Sequence, residues 1–259
     1  MLKKIFKSKL LPQFYLILFL VIFFGIWQFF VNIGSINPFL FSSPIDIFKD
    51  MFNLFATGEI WPHIFVTLYA SFWGVVIGTV SGIIVAFIFG NIKILADIFD
   101  PLFVGLYGLP KLALGPLFIV WFGISITAKI FMSTIMVFFL VFFNAYAGFR
   151  NVDVNLINMM KLMGANRLQI ITKLTLPSCI PWITASLRAG VGAAVLGTIV
   201  GEYLGAVQGL GWMVMTAGGV YNITRVLSCI FILMILMSLL DFSVKKAEAI
   251  ILKWRPAVD

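Results

Sequence analysis

Long apolar segments recur along this chain, separated by more polar stretches. They run from Phe14 to Asn32, His63 to Gly90, Asp100 to Gly123, Ser125 to Ala147, Ile180 to Leu204, and Val226 to Asp241 and beyond. About 20 predominantly apolar residues in a helix cover the hydrocarbon core of a bilayer. In lipid, backbone N–H and C=O groups must find partners inside the segment itself, so such stretches cross as helices. The pattern predicts an all-α polytopic membrane protein with about six transmembrane helices. Composition agrees: 62% of the 259 residues are hydrophobic and 11% charged, where a soluble domain is nearer half and a quarter.

Orientation follows from the basic residues, which accumulate on the cytoplasmic side of membrane proteins. With both termini inside, thirteen fall in inner segments: Lys3, Lys4, Lys7, Lys9, Lys93, Arg150, Lys161, Arg167, Lys173, Lys245, Lys246, Lys253 and Arg255. Lys49, Lys129 and Arg225 fall in outer segments, and Lys111 and Arg188 fall within spans. The rule therefore places both termini in the cytoplasm and accounts for the net charge of +8. It leaves no soluble basic face for nucleic acid. Residues 1–10 and the apolar run after them have the outline of a signal peptide. That run is long and rich in Phe, and no small-x-small site follows, so it reads as a retained first span.

Chemistry-bearing patterns are scarce. The sequence contains no Gly-x-x-x-x-Gly-Lys-Ser/Thr loop, Gly-x-Ser-x-Gly elbow or His-Glu-x-x-His helix, the motifs that cradle nucleotides, present a serine nucleophile or bind catalytic zinc. Cys179 and Cys229 lack metal spacing, and the single histidine, His63, reads as an interfacial residue beside Trp61-Pro62. No cofactor, metal site or enzymatic activity is expected of the chain itself.

Ser43-Pro44 opens a short amphipathic helix with Ile45, Phe48, Met51, Phe52 and Phe55 on one side, suited to the outer interface. Two segments result: 1–62, a span plus this helix, and 63–255, a core of five spans with an inner loop over 148–179. Gly74, Gly78 and Gly82 recur every fourth residue of the second span. Gly197 and Gly201 continue a stripe begun by Ala185, Ala189 and Ala193 and closed by Gly205 in the fifth. Such small-residue rows let helix backbones approach when lipid offers no hydrophobic drive. Asn91 to Asp97 reads as an inner loop. The third span holds Gly105, Gly108, Pro110, Gly115 and Pro116, which predicts a kink or break. Gly205–Arg225 reads as a glycine-rich outer loop.

Between two spans lies a water-adapted stretch, Asn158 to Pro177. It has Gly164 in mid-course, the cations Lys161, Arg167 and Lys173, a cap candidate in Asn166, and a Leu-Pro stop. This stretch resembles the cytoplasmic loop motif of binding-protein-dependent ABC importer permeases: Glu-Ala-Ala, three residues, Gly, nine residues, then Ile-x-Leu-Pro. Here Asn158-Met159-Met160 stands in place of Glu-Ala-Ala and Leu174-Thr175-Leu176-Pro177 closes the motif. The resemblance extends to Pro110–Leu117 with Trp121-Phe122-Gly123, to Gly148–Asp153, to Gly201–Ala206 and Gly209-Leu210-Gly211, and to Trp254-Arg255-Pro256. These segments are similar to the nitrate/sulfonate/taurine branch.

The resemblance implies a type I importer permease with the MetI-like fold in the bacterial inner membrane. Its implied partners are ABC ATPase subunits that use ATP, an extracytoplasmic solute-binding protein, a second copy of the permease, and lipid. It assigns the loop to ATPase coupling, through Lys161, Gly164, Ala165, Asn166, Arg167, Lys173, Leu176 and Pro177. Apolar Leu168, Ile170, Ile171 and Leu174 are expected to anchor one face of that loop. Ionisable groups inside spans are costly and frequently functional, which makes Lys111 beside Pro110, Arg188 and Glu202 candidates for a translocation path taking an anionic solute. Two other outcomes stand beside that one: long basic chains snorkel to the interface, and Lys111 or Arg188 can pair with Glu202 or Asp241. The competing function class is an ion-coupled secondary transporter or channel, which calls for inverted repeats or deep acids in several spans.

Overall fold

The computed structural model describes residues 10–251, all of its regular elements helical. Lys3, Lys4, Lys7, Lys9, Lys253, Arg255 and the Trp254-Arg255-Pro256 segment lie outside the described residues. The helices are α1 (Leu10–Asn32), α2 (Pro44–Thr57), α3 (Ile60–Asn91), α4 (Lys93–Gly108), α5 (Gly115–Phe122), α6 (Ile126–Arg150), α7 (Val154–Leu162), α8 (Arg167–Ile170), α9 (Leu176–Leu204), α10 (Leu210–Gly219) and α11 (Ile223–Ile251). Five segments are long and apolar enough to cross a membrane, six if the bent pair formed by Lys93–Gly108 and Lys111–Phe122 counts as one.

The chain forms two compact units. One joins the segment ending at Ile60 with Met213–Ile232. Here Ser43 caps α2, its hydroxyl accepting the Asp46 N–H, and Pro44 fits the first turn because its missing N–H has no partner to lose. Gly58, at φ +81°, ends the helix. The buried face of α2 is Ile47, Met51 and Leu54, while Ile45, Phe48 and Phe52 are exposed. Arg225 clamps the polar side, its Nε donating to Asp50 at 2.9 Å and Nη1 to Glu59 at 2.9 Å. The expected grouping of Met51 with the exposed aromatics is thus corrected. Ser228 Oγ donates to the Ile47 carbonyl and needs that face turned toward α11.

The second unit comprises Trp61–Trp212 and the chain from Leu233 onward. In it α6 packs along α9. Near one end of α6, Phe89, Phe142, Tyr146 and Phe149 build an aromatic core around the fully buried thiol of Cys179. Edge-to-face and stacked ring pairs hold it, with Phe89 and Phe142 centroids 5.5 Å apart.

Several boundaries differ from expectation. The loop expected over Asn91–Asp97 reduces to the single residue Ile92, since α4 already starts at Lys93. The third span is broken: its halves meet at 87° around Leu109-Pro110, where proline cannot donate to the helix ladder. The Gly205–Arg225 segment contains α10, so its glycines serve a turn and helix ends more than a loose loop. The fifth span is continuous with the polar stretch before it, from Arg167 to Leu204.

Candidate functional site

The loop before α9 is built by local rules. Asp153 caps α7 by accepting from the Asn155 N–H. Gly164 then turns the chain at φ +80°, a left-handed conformation that costs a side-chain-bearing residue. Asn166 and Gln169 form a reciprocal capping box on α8, bonds of 2.8 and 2.9 Å. Five π-helical residues, Ile171–Thr175, join α8 to α9, and the Leu176 N–H bonds the Ile171 carbonyl five residues back. Pro177 explains the wide turn: without an N–H it leaves the Lys173 carbonyl no α-type donor.

The structure brings Lys161, Ala165 and Arg167 to one cavity together with Ile170, Ile171 and Thr175. Lys173 is exposed and does not line it. Leu168 corrects the expected anchoring face: it is 68% exposed, whereas Ile170, Ile171 and Leu174 are half-buried. Leu162 and Met163, just before the glycine, are 89% and 83% exposed. Neither residue is singled out by the sequence patterns above. The usable signal was their position flanking the glycine turn, where a Cβ at Gly164 would meet no atom within 4 Å.

At the Leu204 end of α9 the chain makes a different device. Glu202 is fully buried. Its Oε1 accepts from the Thr67 hydroxyl at 2.8 Å and its Oε2 from the Gly211 N–H at 2.8 Å. Thr67 Oγ1 in turn accepts the Leu210 N–H at 2.9 Å. The Gly209 N–H donates to His63 Nδ1 at 3.1 Å, and the His63 ring stacks on Trp212 at 5.3 Å. Lys129, expected in an outer segment, is buried in the first turn of α6 and donates to the Gln208 carbonyl at 2.6 Å. These residues clasp the 205–211 turn onto α3, α6 and α9. Gly209 is obligatory there. Its φ is +131°, and a Cβ would sit 2.1 Å from Glu202 Oε1.

Glycines carry the helix contacts below the clasp. A Cβ at Gly74 would lie 2.0 Å from Ser133 Oγ, one at Gly78 2.8 Å from the Thr134 carbonyl, and one at Gly82 3.0 Å from the Phe138 carbonyl. From α9, Gly197 and Gly201 lie against Ser133 and Lys129 of the same helix. Ala185 and Ala189 are exposed.

The remaining candidates are dispersed. Lys111, just after Pro110 at the break, donates to the Tyr107 carbonyl at 2.7 Å. Its ammonium lies 4.5 Å from the Tyr107 ring centroid and 5.3 Å from that of Phe139. It therefore occupies the end of α4, where carbonyls lack helical donors. Arg188 pairs with Asp241 at 3.0 Å, and Lys245 joins the same carboxylate.

This arrangement of helices carries a specific relationship. The model of the binding-protein-dependent transport system inner membrane component family matches residues 74–249, which include both ends of α9. The chain belongs to that family. Among relatives of this permease, the formylaminopyrimidine transport permease protein ThiX of Halalkalibacterium halodurans is 32% identical over 92% of this chain and 94% of its own length. A Bacillus subtilis permease named for aliphatic sulfonates transport, SsuC, is 31% identical over 89% and 84%. The taurine transport system permease protein TauC of Escherichia coli is 26% identical over 92% and 89%. An inward-facing structure of the MetNI methionine ABC transporter superposes with a TM-score of 0.61 at 22% identity, over 77% of this chain and 97% of that one. That likeness establishes the MetI-like permease fold. The protein is an ABC importer permease component, a multi-pass protein of the bacterial inner membrane.

Proposed function

We propose that this permease imports a small anionic solute of the sulfonate or taurine kind. An extracytoplasmic binding protein delivers the solute, two permease copies form the path, and separate ATPase subunits supply the energy from ATP. The exposed tip of the loop carries the reading. Leu162, Met163 and Leu168 present 89%, 83% and 68% of their surface around the turn at Gly164, where an added Cβ would meet no atom within 4 Å. Exposed apolar side chains clustered at such a turn mark an interaction surface, and Leu162 and Met163 lie outside the span that starts at Arg167. Lys173 is exposed on the π-helical turn that follows α8.

In this reading Gly164, Ala165, Asn166 and Arg167 shape the lever, while Leu176 and Pro177 join it to α9. A helix of 29 residues is about 43 Å long, enough to carry a displacement of the loop through the bilayer. The lever then biases two discrete states of the spans according to nucleotide. An anionic solute is supported by Lys111, a cation at the break of a discontinuous span, where transporter sites tend to form. Two of the named relatives are sulfonate and taurine systems.

Reconstitution with a partner ATPase and binding protein tests the proposal. Taurine or an alkanesulfonate should enter vesicles only with ATP. Uptake driven by an ion gradient without ATP would overturn the importer reading. Lys111→Gln should lower uptake several-fold while the complex still assembles; loss of assembly instead would make Lys111 structural.

A further inference from the structure

The loop has a second side. Behind the apolar tip lies a cavity of about 450 Å³, bounded by the ends of α3 and α6 and by the loop itself. That is within the roughly 300–1,000 Å³ range of small-ligand sites. Two cations line it, Lys161 from the last turn of α7 and Arg167 from the first of α8. Neither has an ion-pair partner among the described residues, and no carboxylate lines the cavity. Asp153, close in sequence, is committed to capping α7. The Arg167 guanidinium leans across to the Asn91 carbonyl at a long 3.5 Å, which leaves most of its donors for another acceptor. Phe149, Val152, Ile157 and Ile170 make the remaining wall apolar.

We propose that this cavity seats the phosphate headgroup of an anionic phospholipid of the inner leaflet. The proposal rests on the cytoplasmic placement of the loop in the importer reading. Paired cations with no acid nearby favour a phosphate, and arginine binds it through a planar fork of donors. Basic pockets between helices on the cytoplasmic side are where acidic headgroups collect. Depth decides for a lipid over a free phosphate, because the cavity lies at the ends of two spans, Gly90-Asn91 and Phe149. Its apolar wall suits a glycerol backbone and the first methylenes. A free phosphate would instead call for clustered backbone N–H donors, and the nearby start of α8 is already closed by Asn166 and Gln169. The loop would then face the ATPase with its tip and the membrane with its back, and the lipid would set the resting position of the lever.

Native mass spectrometry of the full chain in detergent, titrated with phosphatidylglycerol or phosphatidylcholine, tests the assignment. Wild type should retain phosphatidylglycerol about tenfold more strongly than phosphatidylcholine. K161Q/R167Q should lose that preference, while Lys246→Gln, which removes a cation outside the cavity, should keep it. Ile157→Trp, which fills the cavity with both cations in place, should expel the lipid and guards against a misfolded double variant. Equal retention of both lipids by wild type, or full preference in K161Q/R167Q or Ile157→Trp, would overturn the proposal. Displacement by millimolar inorganic phosphate would overturn the lipid source in favour of a soluble anion. Since no ATPase is present, failure here leaves the coupling role standing. Failure of ATPase association would leave the lipid result standing in turn.

Discussion

The two ends of α9 are built on opposite principles. At the Leu176 end the chain is exposed, its helices are capped by neighbours two or three residues away, and apolar side chains face outward without partners. At the Leu204 end the clasp is held by pairs of residues far apart in sequence: Thr67 with Glu202, Lys129 with Gln208, His63 with Gly209. One end is finished by its own chain, and the other exposes apolar side chains around a glycine turn. Substitutions at the clasp should therefore register as stability, and substitutions at the loop as lost association.

The largest effect is expected at Glu202. Glu202→Ala leaves the Thr67 hydroxyl and the Gly211 N–H buried without acceptors. At about 1–3 kcal/mol for each orphaned group, the loss is roughly 2–6 kcal/mol. Unfolding in detergent, followed by tryptophan fluorescence, reads it directly. Glu202→Gln keeps one carbonyl acceptor and should lose about half as much. An unchanged midpoint for Glu202→Ala would mean that the clasp holds nothing, and Glu202 would return to the translocation path as its most plausible role.

That contrast also explains what was legible. The loop could be read because its determinants are contiguous: a glycine, a cap three residues before its partner, and a Leu-Pro end at fixed spacing. The spans could be read because apolar length alone dictates them. Glu202 was visible as an acid inside a span, but its partners were not. Nothing local connects Thr67 to a glycine turn more than 140 residues later. Lys129 shows the same limit: charge counting assigns a side of the membrane, whereas its burial follows from a carbonyl, that of Gln208, contributed by a distant turn. The break at Leu109-Pro110 was legible from its prolines, yet its 87° bend was not, because proline removes a hydrogen bond without fixing where the freed halves pack.

Next in size is the helix groove that leads away from the clasp. Thr67, Ser71, Gly74 and Gly78 follow one another along a face of α3, and Ser71 reaches Thr198 of α9 at 3.0 Å. A side chain at Gly78 meets backbone, the Thr134 carbonyl at 2.8 Å, which cannot rotate away. Gly78→Val should cost about 1–3 kcal/mol by overpacking and lower the yield of folded permease. If its unfolding midpoint matches wild type, α3 and α6 do not depend on this approach.

Two glycines with positive φ then sharpen the comparison. At Gly164 an added Cβ meets no atom, so Gly164→Val carries mainly the left-handed backbone cost, about 1–2 kcal/mol. Asparagine tolerates that conformation better than most residues, so Gly164→Asn should recover most of the loss and restore ATPase association. Gly209→Asn should recover nothing, because its Cβ would overlap the Glu202 carboxylate. Equal behaviour of the two asparagine variants would erase the distinction between a turn limited by backbone and one limited by packing.

The smallest effect on folding is expected where the functional consequence is greatest. Leu162 and Met163 bury almost nothing, so the double substitution to serine removes little from the folded chain, and surface changes of this kind usually stay within about 0.5 kcal/mol. The same residues form the apolar tip that an ATPase would cover, and burying such a surface contributes about 25 cal/mol per Å². The double variant should therefore unfold with wild-type stability, yet fail to co-purify with the ATPase and to import solute. A variant that stays folded, binds the ATPase normally and transports normally would remove the tip from the coupling interface. The contact would then pass to the charged side of the loop, where Lys173 is the exposed cation outside the cavity.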